Sequence, residues 1–130
     1  MQTINRKNPK GNKTGPWKEY FKDGKTLQAV GKYANGRKYG VWKYYIRNGK
    51  LRATGKIVDG HNEGLWKWFR ENGGPLQAGN FKRGKQHGAW KRWQKNGKLY
   101  DVGEWKNGKK TGLWKVYDSK GKLRSTKIFK

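Results

Sequence analysis

A tryptophan recurs at an almost constant interval along the whole chain, and this regularity restricts what the chain can fold into. Successive copies lie 25, 24, 24 and 24 residues apart. Each has a glycine two residues before it, a lysine directly after it and an aromatic residue three positions later. The repeated residues are Trp17, Trp42, Trp66, Trp90 and Trp114. Such self-similarity is typical of a repeat protein, in which each unit packs mainly against its neighbours.

Each unit is predicted to form two antiparallel strands. In the second unit, the segments WKYYIR and KLRATGKIV flank Asn48-Gly49, a pair typical of two-residue type I′ hairpin turns. A glycine opposite a tryptophan would give the ring a flat seat on bare backbone. Folding every unit in this way, with a three-residue turn in the first, predicts the pairs Ile46–Leu51, Tyr44–Ala53, Trp42–Gly55, Trp66–Gly79, Trp90–Gly103 and Trp17–Gly31, whereas Lys127 stands opposite Trp114.

The predicted fold class is all-β: an elongated antiparallel β-meander of about ten strands, built from about five 24-residue hairpin repeats. The Gly-x-x-x-Gly segments between units, such as residues 36–40, are interpreted as turns that join neighbouring hairpins. Helical periodicity is absent, and glycine recurs too often for helices. Residues 1–14 are expected to hold a partial repeat and a frayed N-terminus, and the repeat array to occupy 15–130, with units near 15–39, 40–63, 64–87, 88–111 and 112–130.

Alternation along a strand sorts the side chains of each unit onto two faces. In the second unit, Trp42 and Tyr44 share one face, here called the packing face, while Lys43 and Tyr45 share the other, called the basic face. On the packing face of the fourth unit, Asp101 faces Arg92 across its hairpin, which predicts a cross-strand ion pair.

The charge of the chain points to an anionic partner. It has 33 Lys and Arg against 8 Asp and Glu, a net charge of +25, and no cysteine. Such polarity is typical of disordered chains, but 15% aromatic residues indicate a folded, aromatic core. Nucleic acid, an acidic protein or a membrane surface would all fit the charge. Without a signal peptide or transmembrane run in the sequence, cytoplasmic localisation is the expectation.

Residues that could carry catalysis or bind a metal are few and scattered. His61 and His87 occupy different repeat positions, and no two carboxylates form an acid/base pair by position. The absence of cysteine excludes thiolate metal sites and cysteine nucleophiles. The chain is therefore expected not to be an enzyme, and to need neither metal nor cofactor.

The basic face combines cations with rings in every unit. A lysine and an aromatic residue two positions later share this face, as on surfaces that bind single-stranded nucleic acid through phosphates and stacked bases. In the competing interpretation, lysines merely solvate an open sheet and their stems cover a minor aromatic core. The predicted nucleic-acid-binding residues are Lys18, Tyr20, Lys43, Tyr45, Arg47, Arg52, Lys67, Phe69, Lys91, Trp93, Lys115 and Tyr117.

Stretches such as GVWKYYIRNGKLRATGKIVDGHNEG and GAWKRWQKNGKLYDVGEWKNGKKTG resemble the MORN-repeat variant family of bacterial proteins, over about residues 8–130. The resemblance implies an elongated, non-catalytic sheet that serves as an interaction scaffold, and many such proteins are described as antitoxin components. The eukaryotic motif has an acidic residue after its Tyr or Phe, and this chain departs from it with Ala34, Val58, Lys82 and Lys106.

Two functions remain open at this point. The first is binding of RNA or single-stranded nucleic acid, as an inhibitor or regulator of a nucleic-acid-dependent system, either antitoxin-like or a phage anti-defence factor. The alternative is an antitoxin or immunity-type protein that binds an acidic, or nucleic-acid-bound, protein partner. A membrane is disfavoured as a partner, because no amphipathic helix or lipidation motif accompanies the charge.

Overall fold

The structure, a computed structural model, describes residues 4–130 and confirms the predicted all-β class. In this part of the chain, eleven antiparallel strands follow one another in chain order in one open sheet. The short first strand is additional to the expected ten. The strands are β1 (Arg6–Lys7), β2 (Lys13–Tyr20), β3 (Leu27–Ala34), β4 (Arg37–Tyr45), β5 (Leu51–Val58), β6 (His61–Phe69), β7 (Pro75–Lys82), β8 (Lys85–Trp93), β9 (Leu99–Lys106), β10 (Lys109–Tyr117) and β11 (Leu123–Phe129).

The N-terminal segment contributes to the sheet. Lys7 pairs with Lys13, and the Asn5 side chain both accepts from the Lys18 backbone N–H at 2.7 Å and donates to the Lys18 carbonyl at 2.8 Å. The predicted frayed start falls in part on residues 1–3, which lie outside the described residues.

The predicted register of the hairpins is confirmed at every tryptophan. The pairs are Trp17–Gly31, Trp42–Gly55, Trp66–Gly79, Trp90–Gly103 and Trp114–Lys127, together with Tyr44–Ala53. The prediction that Ile46 faces Leu51 is wrong, because Tyr45 stands opposite Leu51 and the ladder is irregular beyond Tyr44.

The hairpin turns explain this difference. The Ile46 carbonyl accepts from the Gly49 N–H at 2.9 Å, and the Ile46 N–H donates to the Lys50 carbonyl at 3.0 Å. These bonds close a three-residue loop, with Gly49 left-handed at φ 86°. The Asn48 side chain accepts from the Lys50 N–H at 2.8 Å, so asparagine stabilises the loop through its side chain instead of adopting a left-handed backbone.

Type I′ turns occur instead at the other ends of the strands, where one hairpin is joined to the next. Asn35 and Gly36 both have positive φ, at 49° and 80°, and join β3 directly to β4. The interpretation of residues 36–40 as a linking turn is therefore wrong. The segment after Gly36 continues β4, in which Gly40 has φ 74° and the pairing with β3 is irregular. Equivalent two-residue turns are Asp59-Gly60, Arg83-Gly84 and Asn107-Gly108.

The glycine opposite each of the first four repeated tryptophans is covered by a ring from the following unit. A Cβ built on Gly55 would overlap the indole of Trp66, and the Trp66 Nε1–H donates to the Lys56 carbonyl at 2.9 Å. The predicted glycine seat therefore exists, but its occupant is not the residue paired with it in the hairpin. The other seats are Gly31 under Trp42, Gly79 under Trp90 and Gly103 under Trp114.

Rings in mutual contact run across the packing face. We call this set the aromatic spine: Trp17, Tyr33, Trp42, Tyr44, Trp66, Trp68, Phe81, Trp90, Trp105, Trp114 and Phe129, with neighbouring centroids 5.2 to 6.3 Å apart. Lysine ammonium groups lie over it, with the Lys38 Nζ 4.6 Å from the Trp42 ring centroid. Across residues 4–130 the sheet is one layer thick, so rings laid on the backbone, covered by lysine side chains, replace a second layer.

Candidate nucleic-acid interface: a lysine row beside a ring row

The lysine that follows each repeated tryptophan occupies the same register position in every unit. Lys43 lies opposite Val30 on one side and Thr54 on the other, and Thr54 in turn lies opposite Lys67. This pattern continues across the sheet and places one lysine on every second strand, about 9–10 Å apart. We call this set the lysine row: Lys18, Lys43, Lys67, Lys91 and Lys115.

The lysine row forms no ion pair within the described part of the chain. The two ion pairs found there are Lys13–Glu19 at 3.8 Å and Arg92–Asp101 at 2.6 Å, neither of which involves the row. Four of the five lysines are exposed, and Lys18 is half-buried. The residues between them along the row are uncharged: Val30, Thr54, Ala78 and Val102. The row thus presents a line of positive charge to solvent.

A second row, of aromatic rings, runs parallel to the lysine row. Its members stand two residues further along their strands, about 6–7 Å away. Each ring lies opposite an apolar residue of the next strand, as Tyr45 does opposite Leu51 and Phe69 opposite Pro75. Tyr20 is 43% exposed, and the other four are half-buried. We call this set the ring row: Tyr20, Tyr45, Phe69, Trp93 and Tyr117.

The two predicted arginines lie outside both rows. Arg47 belongs to the turn after β4, where its guanidinium is 5.8 Å from the Phe21 ring centroid. Arg52 is the extra residue of β5 between the pairs Tyr44–Ala53 and Tyr45–Leu51, and it lines a depression on the packing face beside Trp68. The irregular pairing breaks the simple alternation of faces, which is why sequence alternation assigned Arg52 to the basic face.

Exposed aliphatic residues on the basic face are a feature that the sequence reasoning missed. Val41 is 61% exposed, Leu65 51% and Leu113 49%, and each directly precedes a repeated tryptophan. Beside Val41, a depression of about 660 Å³ also reaches Lys18, Val30 and Lys43. The signal was present in the sequence, because alternation puts the residue before each tryptophan on the face opposite its ring.

The predicted ion pair on the packing face is confirmed. Arg92 donates from Nε to Asp101 Oδ1 at 3.0 Å and from Nη2 to Asp101 Oδ2 at 2.6 Å. Asp101 is 3% exposed, and its hydrogen bond raises the pKa of Arg92. The carboxylate thus holds the guanidinium in a fixed position on this face.

No group of three or more His, Cys, Asp or Glu residues in the range 4–130 is arranged to hold a metal ion. The same range contains no helix with the length and apolarity needed to cross a membrane.

Comparison with known proteins supports the repeat architecture. The sequence profile described as MORN repeat variant matches residues 13–35, 38–58, 62–83, 86–107 and 110–130. No curated protein matches the chain. The five matched segments cover most of the sequence, and each contains one repeated tryptophan with the strand that follows its hairpin turn. The chain therefore belongs to the MORN repeat variant family.

Proposed function

We propose that this protein is a non-catalytic binder of single-stranded nucleic acid, with RNA as the favoured form, and that it uses the basic face of the sheet. The observation that carries the proposal is the register of the lysine row, whose members form no ion pair with an acidic side chain of the described residues. Such a protein would act by occupying the nucleic acid that another system needs, as an antitoxin-like or phage anti-defence inhibitor does.

The two rows have complementary physical roles in this proposal. Lysines that neutralise phosphates release condensed counterions, so the affinity depends steeply on salt concentration. Half-buried rings next to them supply faces on which bases stack, and stacking tolerates any base sequence. Cross-strand partners such as Leu51 hold the rings in place, so little side-chain entropy is lost when a base binds.

A second candidate function is binding of an acidic protein by an antitoxin or immunity-type protein. The observation that favours it is the exposure of Val41, Leu65 and Leu113 next to the lysine row. A protein partner would bury aliphatic side chains at the core of an interface, with charge complementarity at its rim.

The decisive experiment compares two triple variants of equal charge. Lys43, Lys67 and Lys91 are replaced by glutamine in one, and the exposed turn lysines Lys22, Lys95 and Lys120 in the other. RNA affinity is measured by fluorescence anisotropy over a range of salt concentrations. Loss of three phosphate contacts should lower the salt slope by about 2 in the row variant.

The outcomes separate the candidates. Equal slopes for the two variants would show that the row binds no phosphate and that net charge alone attracts RNA. If nuclease-treated protein instead retains one stoichiometric acidic protein, and only the row variant loses it, the second function is correct. Binding to anionic vesicles that depends on the row in the absence of RNA binding would identify a membrane surface.

A further inference from the structure

In the second and third units the aromatic spine contains a bridging ring, whereas the first, fourth and fifth units have Glu19, Arg92 and Val116 at the same repeat position. In the second unit, Tyr44 stacks between Trp42 and Trp66, with interplanar angles of 24° and 30°. In the third, Trp68 lies between Trp66 and Trp90, with angles of 32° and 28°. Each bridging ring stands two residues after its own repeated tryptophan and fills the space before the next one.

The fourth unit has Arg92 at the bridging position. Its bidentate contact with Asp101 ties the guanidinium to the neighbouring strand, where the second unit has Ala53. Between Trp90 and Trp114 no bridging ring is stacked, and Trp105 meets both edge-on, at 62° and 86°. The substitution of an ion pair for a ring therefore leaves a gap in the spine.

The gap is a pocket of about 320 Å³. Its walls are indole rings, and polar groups at its margin include Arg92, Gln77, Gln86 and Lys110. This volume is at the low end of the range of about 300–1,000 Å³ that small-molecule sites span. The pocket thus has apolar walls with a few convergent polar groups, as ligand sites generally do.

The charges at the pocket select the ligand. Asp101 is already paired with Arg92, whereas Lys110 has no acidic partner among the described residues and lies 4.7 Å from the Trp114 ring centroid. One positive charge without an acidic partner therefore lies beside a pocket that is walled by indole rings. The free Nη1 of Arg92 and the side-chain amides can hydrogen-bond the polar edge of a planar ring.

We propose that this pocket binds a single nucleotide, with the base in the place of the missing bridging ring and the phosphate on Lys110. The site lies on the packing face, opposite the lysine row, and so goes beyond the proposed function. Its ligand could be a free nucleotide or a nucleotide at the end of an RNA strand, because both present a base and a phosphate.

The test introduces into the fourth unit the tyrosine–alanine pair that the second unit has at the bridging position. The double variant Arg92→Tyr/Asp101→Ala restores a bridging ring and leaves the net charge at +25. Binding of AMP, adenosine and a 5′-phosphorylated RNA oligonucleotide is followed through the indole Nε1–H resonances of Trp90 and Trp114. Loss of one base stack should weaken AMP binding by about 5- to 150-fold in the double variant.

Controls keep the result interpretable. The wild type should bind AMP more tightly than adenosine, and Lys110→Gln should remove this difference. The lysine-row triple variant should bind AMP as the wild type does, which separates this site from the proposed function. A difference between wild type and double variant for AMP alone indicates a free nucleotide, and a difference for the oligonucleotide as well indicates a strand end.

Three results would overturn the proposal. They are a wild-type protein whose Trp90 and Trp114 resonances do not respond to AMP, a folded double variant that binds AMP with unchanged affinity, and equal binding of AMP and adenosine by the wild type.

Discussion

The indole of Trp66 lies across the backbone of Gly55, although the two residues belong to different hairpins. The φ angle of Gly55 is not in the left-handed region, so the glycine is needed for space and not for conformational freedom. The ring also donates to the Lys56 carbonyl at 2.9 Å. Each hairpin is thus held to the next by a ring and a hydrogen bond in addition to the strand ladder.

Gly55→Ala is expected to destabilise the protein by about 1–3 kcal/mol, because the new methyl group must displace a packed indole. Lys127→Ala, at the equivalent position of the last unit, displaces no indole and removes only the contact of its ammonium with the Phe129 ring, so it should cost less than about 1 kcal/mol. Urea unfolding monitored by tryptophan fluorescence measures both values. Equal effects at the two positions would refute the seating of Trp66 on Gly55.

Trp66→Ala is expected to cost about 3–5 kcal/mol through lost packing and the cavity left behind. Trp17→Ala should cost less, because Trp17 contacts one ring of the spine, Tyr33, whereas Trp66 lies between Tyr44 and Trp68. Thermal midpoints of the two variants give the comparison. A larger loss for the terminal tryptophan would contradict the nearest-neighbour description of the repeats.

Arg83→Asn is expected to stabilise the protein by about 1 kcal/mol. Arg83 has φ 52°, a left-handed conformation that asparagine adopts at lower cost than arginine, and Gly84 follows it. The Glu63 side chain accepts from the backbone N–H of Arg83, so this bond survives the substitution. Lys82→Asn, at the end of β7, removes the same charge and should give no gain in denaturant midpoint; a gain there would assign the effect to charge.

Removing the ring row is expected to weaken RNA binding without changing its salt dependence. Phe69→Ala and Trp93→Ala should each lose about 1–3 kcal/mol of binding free energy, since stacking releases no counterions. Salt-dependent anisotropy, after circular dichroism has confirmed folding, checks this. Wild-type affinity in both variants would assign the rings to packing against Pro75 and Leu99.

The turn after β2 contains a carboxyl group, that of Asp23, whose pKa is lowered by hydrogen bonds. Asp23 accepts from the Thr26 hydroxyl at 2.6 Å and from the N–H groups of Thr26 and Lys25 at 2.9 Å, and these bonds lower its pKa below 3.8. Because the folded pKa is depressed, the turn is stabilised above pH 3.8, and this contribution is lost as the pH falls through the folded pKa.

Thr26→Val removes the largest cause and should move the Asp23 pKa up towards 3.8, as measured by carboxyl ¹³C shifts against pH. Lys25→Met leaves all three hydrogen bonds in place and serves as the control. An unchanged pKa in the valine variant would show that the hydroxyl does not bond the carboxylate.

Folding each unit about its turn predicted the correct partner of every repeated tryptophan. This held although the turn differs, because the three-residue loop and the extra residue Arg52 together restore the pairing from Tyr44–Ala53 onward. The turn types were not predictable from Asn48-Gly49 alone. Asn-Gly sequences suit both a type I′ turn and a three-residue loop that the asparagine side chain stabilises, and the latter forms here.

The face on which each candidate residue lies was predictable where the strands are regular and not where they are irregular. Lys43 and Tyr45 were placed correctly on one face, but Arg52 was not, since an extra residue in β5 shifts the alternation. The ion pair between Arg92 and Asp101 followed from the pairing. The pocket beside this ion pair could not be predicted, because it depends on how the neighbouring rings are oriented. A pattern of residue types does not specify ring orientation.

The glycine seats give the array a direction. Each of the first four units provides a glycine seat for an indole of the unit that follows it. A duplicated internal unit therefore carries both halves of this contact with it. Whole units can therefore be added or removed without changing the ring-on-glycine contact between neighbours. Each added unit extends the lysine row by one lysine. Lys127 stands where a seat would be, and a ring offered to β11 would meet a side chain there. Under the proposed function, the number of units would therefore set the length of nucleic acid that one molecule can cover.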